Sequence, residues 1–366
     1  MTRIGRRSET LQALMAEAAH MALGMANLER PDAIVVAVMN PEEFVGDGNF
    51  ASNVASHMGF ADVPAVRIET ATSSGAAALY TGFADVAAGL RRSVLVVGGE
   101  KMTHIATPRV SEIIGRSIDP YERSYGATMP ALAGLITRAL MARHGVTLRE
   151  ISAVAVKNHA NAGRNPYAHF RQPVTLDEVM DSRIVADPLR LLHCCPISDG
   201  AAALLLTAEP APVRIAGIGQ GTDTLAIRHR AELTSFRATQ MAAREAFQMA
   251  GFGPERVELA ELHDAFAPFE LIALEDIGLV PAGKAGRQTL DGDTALDGRL
   301  PINPSGGLKA RGHPLAATGL AQVVECVWQL TGQADGRQVA GRVALAHSIG
   351  GLATNNWVTL LVSEGP

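Results

Sequence analysis

Residues 303–319 read NPSGGLKARGHPLAATG and form the most informative stretch of the chain. Its glycines allow the backbone to approach a ligand closely, and Pro314 suits the first turn of a following helix. We therefore expect His313 at a helix N-terminus, where the helix dipole keeps the imidazole pKa low and the ring able to accept a proton. The alternative is a glycine-rich turn with an incidental surface histidine. Ser305 and Gly306 are candidate residues for binding substrate or an oxyanion.

Short apolar runs alternate with helical patterns on both sides of this stretch. The runs predict strands at residues 33–39, 63–69, 93–99, 199–207, 213–218, 257–262, 342–347 and 356–362. Helical spacing predicts helices at residues 9–28, 76–90, 232–250 and 312–330. Alternating strands and helices imply an α/β fold with a parallel, doubly wound sheet. Residues from about 102 to 192 break the pattern, with only 152–156 resembling a strand, and predict an inserted helix-and-loop substrate domain.

Two turns occupy matched places in this order of elements. Thr72-Ser73-Ser74-Gly75 opens a helix in the first part of the chain, and Gly312-His313-Pro314 opens one in the second. The match indicates an internal duplication of a βαβαβ unit. It predicts an N-terminal half, residues 1–210, that contains the insertion, and a C-terminal half, residues 211–366. A chain of 366 residues also exceeds the size of a single core.

The composition is typical of a globular α/β protein, with 47% hydrophobic and 19% charged residues. A net charge of −5 gives no reason to expect nucleic acid or a membrane as partner. The three cysteines, of which Cys194 and Cys195 are adjacent, do not have the number or spacing of a disulfide framework or of a metal site. We expect them to be buried structural residues, and we expect no metal. The sequence contains no apolar stretch typical of a signal or a membrane span, so the expected location is cytoplasmic.

Three further motifs could carry chemistry. In Glu261-Leu262-His263-Asp264 an apolar strand ends in polar residues. His263 could donate a hydrogen bond to an oxyanion, or Asp264 could cap a helix while the hydrogen bonds of His263 are satisfied locally. In His347-Ser348-Ile349-Gly350-Gly351 the paired glycines offer amides for an oxyanion hole, or form a common turn. In Thr72-Ser73-Ser74-Gly75 a hydroxyl could be a nucleophile or cap the helix.

Together these segments resemble the thiolase superfamily, in particular the sterol-carrier-protein-type and archaeal-type thiolases. The matching stretches occur in family order almost from end to end: TSSGAAAL, VLVVGGEKM, VAVKNHANAGRNPYAHF, LLHCCPISDGAAALLL, ELHDAFAPFELIALEDIGL, NPSGGLKARGHPLAATG and HSIGG. The resemblance implies a thiolase fold, in which two duplicated βαβαβ halves form a five-layer αβαβα core. It also implies a coenzyme A thioester as substrate and no permanently bound cofactor. The implied assembly is a homodimer or homotetramer, with a small zinc-ribbon/OB-fold protein as a second candidate partner.

The resemblance also assigns roles to residues. In the family, a cysteine takes the acyl group, the histidine of a GHP motif activates it, and a second cysteine in a C-x-G motif moves a proton. His313 matches the GHP histidine, His263 matches a residue that binds a catalytic water, and Gly350 is the C-x-G glycine. Thr72 and Ser348 stand where the two cysteines belong. A hydroxyl is far more basic than a thiol and needs a well-aligned base, so the usual thiolysis is not expected.

Three functions remain open at this point. The first is a thiolase-type acyl-CoA C-acyltransferase with a non-cysteine active site, acting through Thr72 or Ser73. The second is a carbon–carbon lyase on a CoA thioester, without an acyl-enzyme, in which the two histidines act with the amides of Gly350 and Gly351. The third is an inactive CoA-binding subunit paired with an active homologue.

The first residues raise a separate expectation. Members of the family usually begin with an apolar strand before a turn like Met1-Thr2-Arg3-Ile4-Gly5, and here the sequence begins with the turn. Either the start lies further upstream or the first sheet is one strand short. The lost burial favours an upstream start.

Overall fold

The computed structural model describes residues 1–365. The first part of the chain forms α1 (Leu11–Met25), β1 (Ala33–Ala37), α2 (Pro41–Phe44), α3 (Phe50–His57), β2 (Ala65–Ile68), α4 (Ser74–Ala87) and β3 (Ser93–Glu100). Helix α1 begins at Leu11 because the side chain of Thr10 accepts a hydrogen bond from the Ala13 amide. Helices α2 and α3 were not predicted, and the other five elements lie within a few residues of their predicted bounds.

The insertion is mainly helical. It forms α5 (Thr107–Gly115), α6 (Pro120–Ser124), α7 (Met129–His144), α8 (Leu148–Ala162), α9 (Leu176–Asp181), β4 (Ile184–Ala186) and β5 (Leu189–Arg190). The predicted strand at residues 152–156 is wrong, because these residues lie inside α8. A capping box starts this helix: the Thr147 hydroxyl accepts from the Glu150 amide, and the Glu150 carboxylate accepts from the Thr147 amide.

The chain then returns to strands and longer helices. It forms β6 (Gly200–Thr207), β7 (Val213–Thr222), α10 (Arg237–Ala250), β8 (Leu259–Glu261), α11 (Ala267–Asp276), α12 (Ala285–Leu290), α13 (Thr318–Leu330), β9 (Val343–Gly350) and β10 (Asn355–Ser363). Among residues 1–365, no helix combines the length and apolar character needed to cross a membrane.

The strands form two four-stranded sheets, in the orders β2-β1-β3-β6 and β7-β10-β9-β8. The predicted all-parallel arrangement is wrong. Strands β1, β2 and β3 are parallel, as are β8 and β9, but β6, β7 and β10 run antiparallel to their neighbours. One reason is local, because only residues 351–354 separate β9 from β10 and so short a connection allows only antiparallel pairing.

The central layer holds one helix from each part of the chain. Helices α4 and α13 pack against each other between the sheets, α1 and α3 cover the outer face of the first sheet, and α10 covers the second. The predicted five-layer αβαβα arrangement is confirmed. Helix α4 approaches α13 and the turn before it so closely that a Cβ on Gly75 would lie 2.4 Å from the carbonyl oxygen of Ala316 in that turn and 3.1 Å from the amide nitrogen of Leu320 in α13. Only glycine fits at this contact.

The two sheets share an order of strands. The set β1-β3-β6 matches β8-β9-β10 in order and direction. Strand β7 lies beside β10, whereas within residues 1–365 no strand lies at the equivalent place beside β6. There the Thr2 amide donates to the Ala201 carbonyl (2.9 Å), and Gly5 pairs with Asp199.

Candidate active site

A cavity of about 170 Å³ lies beyond the carboxyl ends of β2, β3, β8 and β9. Four predicted site residues line it: Thr72, His263, His313 and Gly351. The remaining wall is mainly apolar and includes Val110, Ile114 and Met129 of the insertion, together with Phe266 and Phe269. Among residues 1–365, no group of three or more His, Cys, Asp or Glu side chains is arranged to hold a metal ion.

His313 lies before the helix rather than at its tip. Helix α13 begins only at Thr318, after a short 3₁₀ turn at Leu315–Ala317. The prediction that Pro314 belongs to the first helical turn is wrong, since its ψ of 74° is not helical. A proline also disfavours the helical conformation in the residue before it, here His313. The ring is instead fixed by a 2.7 Å hydrogen bond between its Nδ1 and the Thr318 hydroxyl.

The His313 ring is uncharged at neutral pH. Burial, assisted by the charge of Arg311, lowers the pKa of His313 to about 3. The sequence predicted a lowered pKa but attributed it to the helix dipole, whereas burial is the main cause. A neutral imidazole in a water-poor site can accept a proton during a reaction.

His263 follows directly after β8. Its Nδ1 accepts a hydrogen bond from the Ile349 amide at 3.2 Å. Burial, followed by the nearby His313, lowers the pKa of His263 well below its usual value, so this ring is also neutral. Because Nδ1 is the acceptor, the ring hydrogen must be on Nε2. The two histidine rings lie nearly perpendicular, at 86°, with centroids 5.1 Å apart.

Thr72 reaches across to the second part of the chain. Its hydroxyl donates to the Ile349 carbonyl (2.6 Å) and accepts from the Gly351 amide (3.1 Å). The Gly351 amide was predicted to be free for an oxyanion, and the structure shows it engaged by Thr72. Ser73 is completely buried, and its hydroxyl donates to the Thr70 carbonyl (2.9 Å) inside the turn. Of these two hydroxyls, only that of Thr72 is at the cavity.

Ser348 and Gly350 lie on β9 but outside the cavity wall. The Ser348 hydroxyl is buried against Gly319 of α13. Gly350 packs so tightly that a Cβ would lie 2.4 Å from the Ser73 hydroxyl. Neither residue therefore contacts the cavity directly, and their roles in the site remain predictions.

Ser305 and Gly306 belong to a buried layer beneath His313, not to a substrate-binding surface as predicted. The Ser305 hydroxyl donates to the Glu261 carboxylate (2.7 Å). Gly306 has a φ of 100° and packs against Ala162 of α8, where a Cβ would lie 2.5 Å from the Ala162 Cβ. Both residues thus shape the turn that carries His313.

Buried charges hold this turn, which is a π-helical turn at Gly307–Arg311. Arg311 pairs with Glu261 at 3.2 Å, and both side chains are completely buried. Asp264 accepts from the amides of Leu308 (2.6 Å) and Lys309 (3.2 Å). Burial raises the pKa of Glu261, and Arg311 opposes that rise. The turn is therefore fixed by carboxylates from the His263 segment.

Sequence reasoning missed the position of Cys194 and Cys195. Both are half-buried and line the cavity. Cys194 pairs with Phe266 through an antiparallel bridge, and the Cys195 amide donates to the Ala265 carbonyl (2.9 Å). Burial raises the pKa of Cys194 to about 11 and that of Cys195 to about 12. Their place depends on this long-range pairing, which no local pattern reveals.

Family models match both parts of the chain. The model described as "Thiolase, N-terminal domain" matches residues 1–210, and "Thiolase C-terminal domain-like" matches residues 219–363. With the five-layer fold, these matches define an enzyme of the thiolase acyltransferase class.

Relatives agree with this class. An "Acetyl-CoA acetyltransferase" of Methanothermobacter thermautotrophicus is 44% identical over 87% of this chain and 85% of its own length. Another, of Methanocaldococcus jannaschii, is 40% identical over 88% of this chain and 85% of its own length. "Sterol carrier protein 2" of Bos taurus is 36% identical over 83% of this chain and 60% of its own length. The chain belongs to the thiolase family.

Solved structures show the same fold. The "Ltp2-ChsH2(DUF35) aldolase" aligns with a TM-score of 0.84 at 24% identity, over 99% of this chain and 96% of that one. Human mitochondrial 3-ketoacyl-CoA thiolase aligns with a TM-score of 0.76 at 18% identity, over 100% and 97%. The predicted thiolase fold is confirmed.

Proposed function

We propose that this protein is an acyl-CoA C-acyltransferase that forms or breaks a carbon–carbon bond on acyl-CoA thioesters, with no cysteine at positions 72 and 348. The observation that carries the proposal is the pair of neutral, buried histidines at 5.1 Å in one cavity wall. Reactions at the carbon next to a thioester need a donor for the developing oxyanion and a base for a proton. The pair supplies one of each.

The two histidines take different roles. His263 Nε2–H donates to the thioester oxygen, because its Nδ1 is already committed to the Ile349 amide. His313 receives the proton from the reacting group, and Thr318 keeps its ring in place. The apolar wall excludes water, which strengthens both interactions. The names and identities of the two archaeal relatives support acetyl-CoA as the substrate.

The assembly and location are also proposals. We expect a homodimer or homotetramer in the cytoplasm, with a small zinc-ribbon/OB-fold protein as a second partner.

Turnover measured in both directions tests the function. Acetoacetyl-CoA with free CoA, and acetyl-CoA alone, are incubated with the wild type and with His313→Ala. The variant is expected to lose about 10²- to 10⁴-fold in rate, the usual contribution of a general base. His229→Ala, at an exposed histidine that is not part of the cavity lining, is the matched control and should behave as the wild type. Equal, measurable turnover by His313→Ala and wild type would contradict the role of His313, and the absence of turnover in the wild type would favour an inactive CoA-binding subunit.

One observation favours a second candidate, a lyase that forms no acyl-enzyme. The Thr72 hydroxyl donates its hydrogen to the Ile349 carbonyl, which cannot carry that proton away. A retro-aldol cleavage needs no nucleophile and could use the same histidines. The consumption of CoA separates the two reactions, since thiolysis of a 3-ketoacyl-CoA uses one CoA per cleavage and retro-aldol cleavage of a 3-hydroxyacyl-CoA uses none.

A further inference from the structure

Transfer of an acyl group through the enzyme requires an acceptor that keeps the group reactive. An ester on the Thr72 hydroxyl would be less reactive than the thioester from which it came, so returning the acyl group would be uphill. A thiol avoids this problem because one thioester replaces another. The cavity contains two thiols that the histidine roles above do not use, those of Cys194 and Cys195.

The backbone joins the segment that carries these thiols to both histidine segments. The Cys195 amide donates to the carbonyl of Ala265, two residues after His263. Two residues further along the chain, Ile197 forms a parallel bridge with His313. The extended segment that carries the thiols therefore contacts both histidine-bearing segments, and all four residues line the same cavity.

The surroundings distinguish the two cysteines. The Cys194 sulfur donates to the Arg190 carbonyl at 3.5 Å, which directs this thiol toward its own turn. The ammonium of Lys309, a lysine only 1% exposed, lies 5.5 Å from the centre of the Phe170 ring and opposes the rise that burial causes in the pKa of both thiols. A nearby cation stabilises a thiolate.

We propose that Cys195 is the acyl acceptor of this protein, in place of the cysteine absent at position 72. This inference rests on the proposed acyltransferase function. The Cys195 sulfur gives its proton to His313 and attacks the carbonyl carbon of the acyl-CoA, forming a tetrahedral oxyanion held by His263. The bond to the CoA sulfur then breaks, and CoA leaves with the proton from His313. No oxidation or reduction occurs, and a thioester on Cys195 remains for transfer to a carbanion or back to CoA.

Mass spectrometry after incubation with acetyl-CoA tests this acceptor. The wild type should gain one acetyl group, mapped to the peptide that contains Cys194 and Cys195 and removed by neutral hydroxylamine, as a thioester is. Cys195→Ala should lose the adduct, whereas Cys194→Ala and Thr72→Val should keep it. Mapping in the wild type gives the site even if a variant folds poorly.

The other outcomes separate this inference from the proposed function. A hydroxylamine-resistant adduct on Thr72, or turnover without any adduct and unchanged in Cys195→Ala, overturns the acceptor but leaves an acyltransferase. Absence of both turnover and adduct in the wild type contradicts both proposals.

A pH profile adds a readout that a structural role would not change. Because the Cys195 proton passes to His313, whose pKa is about 3, the rate of acetylation by the wild type should be nearly constant between pH 6 and pH 8. In His313→Ala the reaction depends on preformed thiolate, which is scarce because burial raises the pKa of the Cys195 thiol to about 12, so the slower rate should rise by up to about tenfold per pH unit.

Lys309→Met should slow acetylation about tenfold, and Lys309→Arg, which keeps the charge, should restore most of the rate. The same pH dependence in the wild type and His313→Ala, with no effect of either Lys309 variant, would contradict the proposed step.

Discussion

The turns that open the two central helices are held in different ways. Before α4, the bonds that close the turn are local: the Ser74 hydroxyl donates to the Ala71 carbonyl (2.6 Å) and accepts from the Thr70 amide (2.9 Å), and only Thr72 bonds to the second half. Before α13, the bonds come from residues that are distant in the sequence. Arg311 pairs with Glu261, 50 residues away, and the Leu308 amide donates to Asp264, 44 residues away.

The difference shows how two halves with the same architecture can take different chemical roles. The turn before α4 is closed mainly by its own hydroxyls, and it contributes a single side chain to the cavity, Thr72, which alone of these hydroxyls bonds to the distant Ile349 and Gly351. The turn before α13 is fixed by the buried carboxylates of Glu261 and Asp264, and it holds His313 firmly. These carboxylates belong to the same segment as His263, so the turn lies beside that histidine. The second half therefore supplies the acid–base groups.

The largest expected effect comes from breaking the long-range pair. Arg311→Met leaves the buried Glu261 without its cation and should lower the free energy of unfolding by about 3–5 kcal/mol. The loss should be smaller at pH 6 than at pH 8, because an unpaired Glu261 can take up a proton. Urea unfolding at both pH values measures it. Ser74→Ala, the matched change in the local turn, should cost about 1 kcal/mol, and an equal loss in both variants would refute the contrast.

Next in size is the kinetic contribution of the second half. His263→Ala removes the oxyanion donor and should lower kcat by about 10²- to 10³-fold. His263→Asn keeps an N–H donor and should retain most of the rate. Thr72→Ala, the change in the first half, should cost about tenfold or less, because another residue accepts the acyl group. Steady-state kinetics of the three variants measures these changes. A loss of kcat in Thr72→Ala as large as that in His263→Ala would contradict the larger catalytic contribution of the second half.

A smaller effect is expected where the halves meet. Gly75→Ala would place a Cβ 2.4 Å from the Ala316 carbonyl oxygen, and overpacking of this kind should cost about 1–3 kcal/mol. Gly24→Ala is the control within α1, because nothing lies within 4 Å of the added Cβ. It should stabilise the protein by up to about 1 kcal/mol. Thermal unfolding of both variants measures these changes, and a neutral Gly75→Ala would show that the central helices can separate.

The smallest effect is a slope with pH. The folded His313 has a pKa of about 3, so below pH 6.5 the unfolded chain binds a proton that the folded chain does not. Stability from this residue is therefore present above pH 6.5 and is lost as pH falls toward 3, by about 1.4 kcal/mol per pH unit. His313→Gln should remove this part of the slope in urea unfolding between pH 6 and pH 4. His229→Gln, at an exposed site, should leave the slope unchanged, and identical slopes in all three proteins would place the His313 pKa near its usual value.

The sequence was sufficient where short-range patterns determine structure. Apolar runs located all eight strands of the two sheets, and helical spacing located α1, α4, α10 and α13, but not α3 or α11. At residues 152–156, a short apolar run was read as a strand although Thr147 and Glu150 form a capping box just before it. That signal was available in the sequence, because a threonine followed three residues later by glutamate is a helix start.

The site was less accessible to such reasoning. The motif histidines could be found because glycine, proline and histidine stand together, and the family resemblance identified Thr72. The engagement of the Gly351 amide by Thr72, the burial of Ser305 and the cavity position of Cys195 all depend on pairing between distant segments. No local periodicity encodes such pairing.

The hydrogen bonds of Thr72 have a consequence for how the protein is made. Its two partners lie 277 and 279 residues away, near the end of the chain. During synthesis the first sheet can assemble early, but the cavity cannot close until β9 and the turn after it have left the ribosome. Contacts of such long range slow folding. Until then α4 exposes the small-residue face that α13 later covers, so the growing chain depends on α13, β9 and the turn after β9 to complete both its core and its active site.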